Sequence, residues 1–394
     1  MSQGFYEFFC PVKTVAGYKA LEHMAFELSA RGVSRPLIVS DPGVVGAGLV
    51  DTVNDALAAD GVAHGGIFDA VPPDSSLAAV RAGVEAFRNG GCDSLIAIGG
   101  GSVMDTAKAI NILATEGGDD IRPYAGVNNL TRPLKPFLAV PTTAGTGSEV
   151  TSVTIIKDEE AHSKLPFLSQ YLLPDVAVID PRMTLKLPPQ ITAATALDAL
   201  THATEAFTCL AKNPVSDAYA TTAIRMVARS LVPVLENPGD TDGRLELAQA
   251  ATMAGIAFSN SMVGLVHSLG HAVGATAGVH HGTCMGIFLP VVLEFNLDAR
   301  GAEIGELLLP LSDAETYAKT PAADRPRAAI DCIRRLKDEV HARCGLPRTL
   351  SETGRVKPED LDAIAALTLD DGSMIFNPVE VELADARRLL DNAW

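Results

Sequence analysis

Basic residues are scarce in this chain. Of its 394 residues, 31 are Lys or Arg against 48 Asp or Glu, a formal net charge of −17. Such a surface repels nucleic-acid phosphate and anionic lipid over most of its extent, which excludes a general nucleic-acid binder. Cysteine is sparse too. The six residues at 10, 92, 209, 284, 332 and 344 include no CxxC pair. A chain of this length folds without disulfide staples, so free thiols in a reducing cytoplasm are the expected state. The opening MSQGFYEFFCPVK has no basic start followed by a long apolar run, so no signal peptide is expected. Disorder is excluded as the main theme because 47% of the residues are apolar. No internal repeat or long linker is visible. Charge itself is missing from Leu247 to Leu293, 47 residues without Asp, Glu, Lys or Arg. That length could cross a bilayer twice, yet it carries four histidines and seven glycines. Polar groups at that density are costly in lipid, so buried helices lining a histidine-using site are the better expectation.

What is present first is alternation. The runs Arg35–Asp41, Ser94–Gly100 and Phe137–Thr143 are short, apolar and closed by turn residues, so they read as buried parallel strands. Gly66–Val71 is a weaker strand. Val44–Ala59, Ser75–Asn89 and Val103–Thr115 have apolar positions three and four apart, so they read as helices. Strand–helix alternation implies a parallel sheet covered on both faces. Glu149–Glu160 and Val176–Pro181 are the last strand-like segments. From about Pro188 the periodicity is helical throughout. The expected organisation is an α/β domain over 1–185 and an all-helical domain over 186–394.

Two glycine-rich turns follow strands. Gly99-Gly100-Gly101-Ser102 leads from a strand into a helix that carries Asp105. Glycines let backbone N–H groups approach an anion, and the helix N-terminus adds its positive dipole end. The pattern is neither GxGxxG nor GxxxxGK[ST]. Thr142-Thr143-Ala144-Gly145-Thr146-Gly147 closes a second strand with small and hydroxyl residues. Ligands of open α/β sheets bind at such strand ends, so a bound nucleotide is expected. Asp41 ends the first strand, where a carboxylate accepts from ribose hydroxyls and repels a 2′-phosphate. That favours NAD over NADP; the competing reading is a cap on the following helix.

The second feature is histidine spacing. Asp198 and His202 are four apart in DALTHATEAF, and His267 and His271 repeat that spacing in GLVHSLGHAVGA. Residues four apart share a helix face. The tandem His280-His281 follows, beside Gly282. An unpaired carboxylate in an uncharged region is costly, and a divalent cation removes that cost. Imidazoles and a carboxylate without thiolate suit Fe(II) or Zn(II).

GGGSVMDTAK (99–108), PTTAGTGSEVT (141–151), DALTHATEAF (198–207) and GLVHSLGHAVGATAGVHHG (264–282) together resemble the iron-dependent (group III) alcohol dehydrogenase family, over essentially the whole chain. The resemblance implies a dehydroquinate synthase-like architecture: a dinucleotide-binding parallel-sheet domain, then a helical metal-binding domain, with the active site in the cleft between them. It implies Asp198, His202, His267 and His281 as metal ligands, His281 being chosen because the family ligand directly precedes glycine. It implies His271 as a further active-site histidine near nicotinamide and substrate. It places the pyrophosphate on Gly99, Gly100, Gly101 and Ser102 with Asp105 nearby, lines the cofactor cleft with Thr142 and Thr143, and brings Lys164 to the nicotinamide ribose. The chain departs from the family at Pro72-Pro73-Asp74, where many members carry Pro-Asn-Pro. The implied activity is NAD(H)-dependent interconversion of a small primary alcohol or diol with its aldehyde, with Fe(II), or Zn(II), as the metal. A charged aldehyde is the alternative substrate. A glycerol dehydrogenase or dehydroquinate synthase would also bind NAD and a metal. A cyclase acting on a polyhydroxy acid phosphate needs cationic residues that 247–293 lack. A metallohydrolase leaves the nucleotide turns unexplained, and a metal or nucleotide sensor is the non-catalytic alternative. The expected partners are a small alcohol or aldehyde and further copies of the chain, as a homodimer or larger homo-oligomer, with no nucleic acid or membrane. The apolar segment FYEFFCP is read as a strand that pairs across such a dimer.

Overall fold

The computed structural model describes residues 5–161 and 163–394. The chain divides into two compact units. One is Cys10–Lys186; the other is Leu187–Trp394 together with the described N-terminal residues 5–9.

The first unit is built on a six-stranded sheet. Its strands are β1 (Lys13–Ala16), β2 (Pro36–Val39), β3 (Gly66–Phe68), β4 (Ser94–Gly99), β6 (Phe137–Pro141) and β9 (Val176–Ile179). Their order across the sheet is β1-β9-β6-β4-β2-β3, and every pairing is parallel. The helices of this unit are α1 (Met24–Ala30), α2 (Pro42–Gly46), α3 (Leu49–Ala59), α4 (Leu77–Asn89) and α5 (Gly101–Glu116). A three-stranded sheet joins β5 (Gly126–Val127) to β8 (Ser163–Leu168) and β7 (Val153–Asp158).

Strand alternation sorts the core into two layers. Leu37, Val39, Leu95, Ala97, Phe137 and Ala139 face a cluster containing Val80 and Val84 of α4 and Met104 and Ile110 of α5. Their neighbours Ile38, Ile96, Ile98, Leu138 and Val140 face Met24 and Leu28 of α1 and Val50, Val53 and Leu57 of α3. Both faces of the central strands are therefore buried, which is why these strands read as unbroken apolar runs. The order in which strands are added reverses at the centre of the sheet. β2 connects outward to β3, whereas β4 connects the other way to β6. The crevice beyond the carboxyl ends of β2 and β4 is the switch point at which ligands of such sheets bind.

Some boundaries differ from the sequence reading. The helix expected over Val44–Ala59 is two helices, because Gly48 takes a left-handed conformation (φ 73°) between α2 and α3. Only Val153–Asp158 of the Glu149–Glu160 run is strand; Ser148–Val150 is a 3-10 turn. Phe5–Val12 forms no strand in this chain. Instead of entering a ladder, the Phe9 N–H donates to Asn260 Oδ1 at 2.7 Å, and Phe8 stacks on Tyr219. Pro11 further removes a donor from this segment.

The second unit is helical, and among the described residues no strand follows β9. Its central helix is α6 (Pro189–Thr208), in which Thr192–Thr208 is buried on every side. Around it pack α7 (Pro214–Glu236), α8 (Thr241–Ser259) and α10 (His281–Phe295). α9 (Leu265–Ala277) packs on α10. The remaining helices are α11 (Leu297–Glu306), α12 (Leu308–Leu311), α13 (Ala314–Lys319), α14 (Arg325–Cys344), α15 (Leu361–Leu369) and α16 (Leu383–Asn392). Sequence sets the helix starts. Asn213 and Ser216 form a capping box at α7, and Asp240 accepts the Gly243 N–H at 3.1 Å to cap α8. A helix uncharged all round is stable only when buried. α10 meets that condition from Gly282 to Pro290 without a break. Among the described residues no single helix is long and apolar enough to cross a membrane.

Candidate active site

Nucleotide side. Gly99 ends β4 and Gly100 precedes α5. The second glycine-rich turn lies against the first: the Thr142 N–H donates to the Gly99 carbonyl at 3.1 Å. A methyl group added at Gly100 would sit 3.3 Å from Thr143 Oγ1, and one at Gly101 3.2 Å from Thr146 Cγ2. Larger residues would fill the space in which the two turns meet. Ser102 Oγ donates to the Pro73 carbonyl at 2.5 Å, and Ser75 Oγ to the Ser102 carbonyl at 2.8 Å. The Pro72-Pro73-Asp74 turn thus packs on the cradle, despite its departure from the family pattern. Lys164, on β8, pairs with Asp74 at 3.2 Å. Asp41 follows β2, at the strand beside β4. Its Oδ1 accepts the Gly43 and Val44 N–H groups at 2.8 and 3.0 Å, so it does cap α2.

Asp105 accepts the Ile155 N–H at 3.2 Å, and burial pushes its carboxyl up to about 6. One turn on, Lys108 is fully buried. Its Nζ donates to the Thr151 carbonyl (2.7 Å), Thr151 Oγ1 (3.0 Å) and the Val153 carbonyl (2.9 Å). Burial lowers its pKa to about 8. Lys108 therefore fastens the chain that leaves the second turn to the helix that leaves the first.

Metal side. Asp198 and His202 sit on α6, His267 on α9, and His281 opens α10. One ligand atom from each lies within 4.8 Å of all the others. His281 Nε2 is 3.2 Å from Asp198 Oδ1, so of the tandem it is His281 that joins the cluster, while His280 is exposed. His202 Nδ1 and His267 Nε2 are buried and find no hydrogen-bond partner among the described residues. Buried polar atoms are nearly always satisfied, so two converging orphans suit the binding of a cation. The electrostatics agree. Burial pushes His202 down to about 3 and His267 well below its ordinary range, so both rings are neutral, the form that ligates. His202 also stacks on Phe258, with ring centroids 4.4 Å apart. The residues present fit a divalent ion.

His271 lies beside this quartet and outside it. Its ring stacks on His281 at 5.3 Å and meets His267 edge-on at 5.8 Å. Its side chain is 41% exposed.

Two carboxylates escaped the sequence reading. Glu205, one turn after His202, is fully enclosed. Its Oε2 lies 2.5 Å from His267 Nδ1, and its Oε1 accepts the Val266 N–H at 2.7 Å. Burial pushes it up to about 7. The argument that exposed Asp198 applied equally to Glu205, a second acid in the same apolar helix. Asp371 lies 2.8 Å from His271 Nδ1 across 100 residues of chain, and no local pattern announces it.

Known proteins extend this picture. Residues 11–181 match the model of the iron-containing alcohol dehydrogenase family, and residues 192–394 match the C-terminal model of the Fe-containing alcohol dehydrogenase family. An NAD-dependent methanol dehydrogenase of Bacillus methanolicus is 36% identical over 389 residues, covering 98% of this chain and 99% of its own. A lactaldehyde reductase of Escherichia coli K12 is 36% identical over 380 residues, covering 96% and 97%. The crystal structure of a 1,3-propanediol oxidoreductase superposes with a TM-score of 0.93 at 34% identity, covering 99% of this chain and all of that one. With both units matched and the whole length covered, the chain belongs to the iron-containing alcohol dehydrogenase family.

Proposed function

We propose that this protein interconverts a small, uncharged primary alcohol or diol and its aldehyde, using NAD(H) and a divalent metal, Fe(II) in the native state. The observation that carries the reading is the quartet Asp198, His202, His267 and His281, in which the buried His202 Nδ1 and His267 Nε2 converge with no hydrogen-bond partner among the described residues. These four residues would hold the ion, which when bound supplies Lewis acidity toward the substrate oxygen. Gly99 to Ser102 would hold the cofactor pyrophosphate at the start of α5, where backbone N–H groups and the helix dipole favour an anion. Asp41 keeps a carboxylate at the ribose end and so selects NAD over NADP. Thr142, Thr143, Asp105 and Lys164 complete the cofactor's surroundings. His271, exposed beside the quartet, moves the proton that the oxygen gains or loses. The uncharged stretch supplies α9 and the start of α10, so the walls around the ligands favour a neutral substrate over a charged one. We further propose a cytoplasmic homo-oligomer; the six free thiols support a reducing compartment.

The test is elemental analysis of protein purified without oxygen, with NADH oxidation assayed on small aldehydes. The panel includes a carboxylate-bearing aldehyde, and NADPH serves as the control. About one iron per chain, turnover on neutral aldehydes and weak turnover with NADPH are expected. Metal without neutral-aldehyde turnover would move the substrate to the charged class. Neither metal nor turnover, after Fe(II) or Zn(II) is added, would overturn the ligand assignment.

A further inference from the structure

We propose that Asp371 is the positioning residue for His271: it fixes the ring's tautomer and leaves Nε2 as the one nitrogen free to exchange a proton with the substrate oxygen. This rests on the reading of His271 as the proton-moving group and goes beyond it. Asp371 Oδ2 lies 2.8 Å from His271 Nδ1. Its other oxygen, Oδ1, accepts the Ser373 N–H at 2.8 Å and the Ser268 hydroxyl at 3.4 Å. The carboxylate is therefore anchored on both sides, by the 3-10 turn Gly372–Phe376 that it caps and by α9 itself. An ionised carboxylate only accepts, so Nδ1 of His271 must be the donor. The carboxyl sits below the usual carboxylate range: burial would raise it, and the His271 bond outweighs that. The neutral ring then carries its proton on Nδ1 and its lone pair on Nε2. Stacking on His281 fixes the plane, and the solvent exposure of His271 gives the exchanged proton a way out.

The step balances. In aldehyde reduction the carbonyl carbon takes hydride from NADH, and the oxygen takes the proton from His271 Nε2–H. The ring returns to its Nδ1–H form and is recharged from solvent. In alcohol oxidation the lone pair on Nε2 accepts the hydroxyl proton instead. Without the acceptor at Nδ1 the ring is free to place its proton on Nε2, where it cannot act as a base.

The histidine–carboxylate pairs at the two sides of this site thus have different work. Glu205 ties a buried histidine whose free nitrogen joins the ligand quartet. Asp371 ties an exposed histidine that lies outside it.

Asp371→Asn tests the idea in the metal-loaded holoenzyme. The amide keeps an oxygen for the Ser373 cap and places an N–H donor against Nδ1. Asp371→Asn is expected to lower kcat by roughly 10²-fold, the low end of what a positioned acid–base contributes. Bound metal and KM for NADH are expected to stay within twofold. His271→Ala is expected to lower kcat at least as far, and the double variant no further than His271→Ala alone, because residues acting as a unit are non-additive. A separate readout needs no turnover: 15N chemical shifts of the His271 ring in Zn(II)-loaded protein. These are expected to report Nδ1–H in the wild type and Nε2–H in Asp371→Asn. Near-wild-type kcat in Asp371→Asn, losses that multiply in the double variant, or one tautomer in both proteins would each overturn the proposal. A wild type that binds metal but turns over no aldehyde would instead overturn the reading of the function, and the 15N shifts would still decide the role of Asp371.

Discussion

A buried histidine needs both nitrogens occupied. At His267 one nitrogen meets Glu205 and the other meets nothing but the quartet. That asymmetry suits the ring to the proposed ligand role, with its lone pair fixed. His267→Ala is expected to abolish bound metal and turnover together; full activity with no metal on elemental analysis would reject the quartet. Glu205→Ala leaves all four ligands in place but frees the His267 ring to turn. Loss of such a supporting partner costs about 10- to 100-fold in metal affinity. Competition against a fluorescent chelator measures this, and an unchanged affinity would show that α9 alone orients the ring. Asp198 and His202 were legible as a pair because they share one turn of helix, whereas the choice of His281 for the proposed quartet came from the resemblance, in which the ligand precedes a glycine. Glu205 was equally local and went unread, because a carboxylate three residues after a ligand looks like a solvated helix position until burial is known. Asp371 was not legible at all. Only the packing of the 3-10 turn Gly372–Phe376 against α9 brings it to His271, and no periodicity records a contact 100 residues apart.

Elements, in turn, hold the ligands in register through close contacts that tolerate no added atom. Gly282 follows His281 at the start of α10, and an added Cβ there would overlap the Ala194 carbonyl of α6. Backbone cannot yield as a side chain does, so Gly282→Ala is expected to cost about 1–3 kcal/mol. It should also lower metal affinity, because the displaced helix carries His281 away from Asp198 and His202. Gly270→Ala is the control within the same bundle. Its Cβ would meet the end of the flexible Met285 side chain, which can swing aside. Equal thermal shifts for the two variants would argue against the α6–α10 contact as the limiting one. In the first unit the three-stranded sheet hangs on Arg122. Its Nε donates to Asp158 Oδ2 at 2.8 Å at the end of β7. That bond, first among several, lowers the Asp158 pKa to about 2. A carboxylate depressed on folding stabilises fully above its unfolded value of about 3.9 and loses the effect as pH falls through the folded value. Arg122→Ala is therefore expected to lower the urea midpoint at pH 6, with the two proteins converging near pH 2. A gap that persists there would assign Arg122 a packing role. Strands buried on both faces were readable as apolar runs, whereas β1, β5 and β8 were not. β1 is exposed along the sheet edge apart from half-buried Val15, β5 has two residues, and β8 carries exposed Ser163 and Lys164. Edges lack the burial that writes a pattern into sequence.

At the scale of the whole molecule, the chain keeps its two chemistries in separate compact units. Every residue proposed for the nucleotide lies within Cys10–Lys186, and every proposed metal ligand within Leu187–Trp394. The division was visible in the sequence as a change from strand–helix alternation to unbroken helical periodicity. What the sequence did not show is that Phe5–Phe9 belong to the second unit, where the Asn260 side chain accepts from Phe9 and Tyr219 stacks on Phe8. Separation has a thermodynamic consequence. Removing an ion from the quartet exposes an uncompensated Asp198 to three imidazoles, a change confined to α6, α9 and α10. The cradle at Gly99–Ser102 is held by other bonds: Thr142 to Gly99, Ser102 to Pro73, and Lys108 to Thr151 and Val153. Treatment with a strong chelator is therefore expected to abolish turnover while leaving the Kd for NADH within about threefold, a shift of well under 1 kcal/mol. The thermal midpoint should fall as well, because a ligand that binds only the native state stabilises it. Fluorescence titration of NADH into the chelated protein measures the first effect, and a thermal scan measures the second. If NADH binding were lost along with the metal, the two units would be thermodynamically coupled, and the ion would then support cofactor binding as well as turnover.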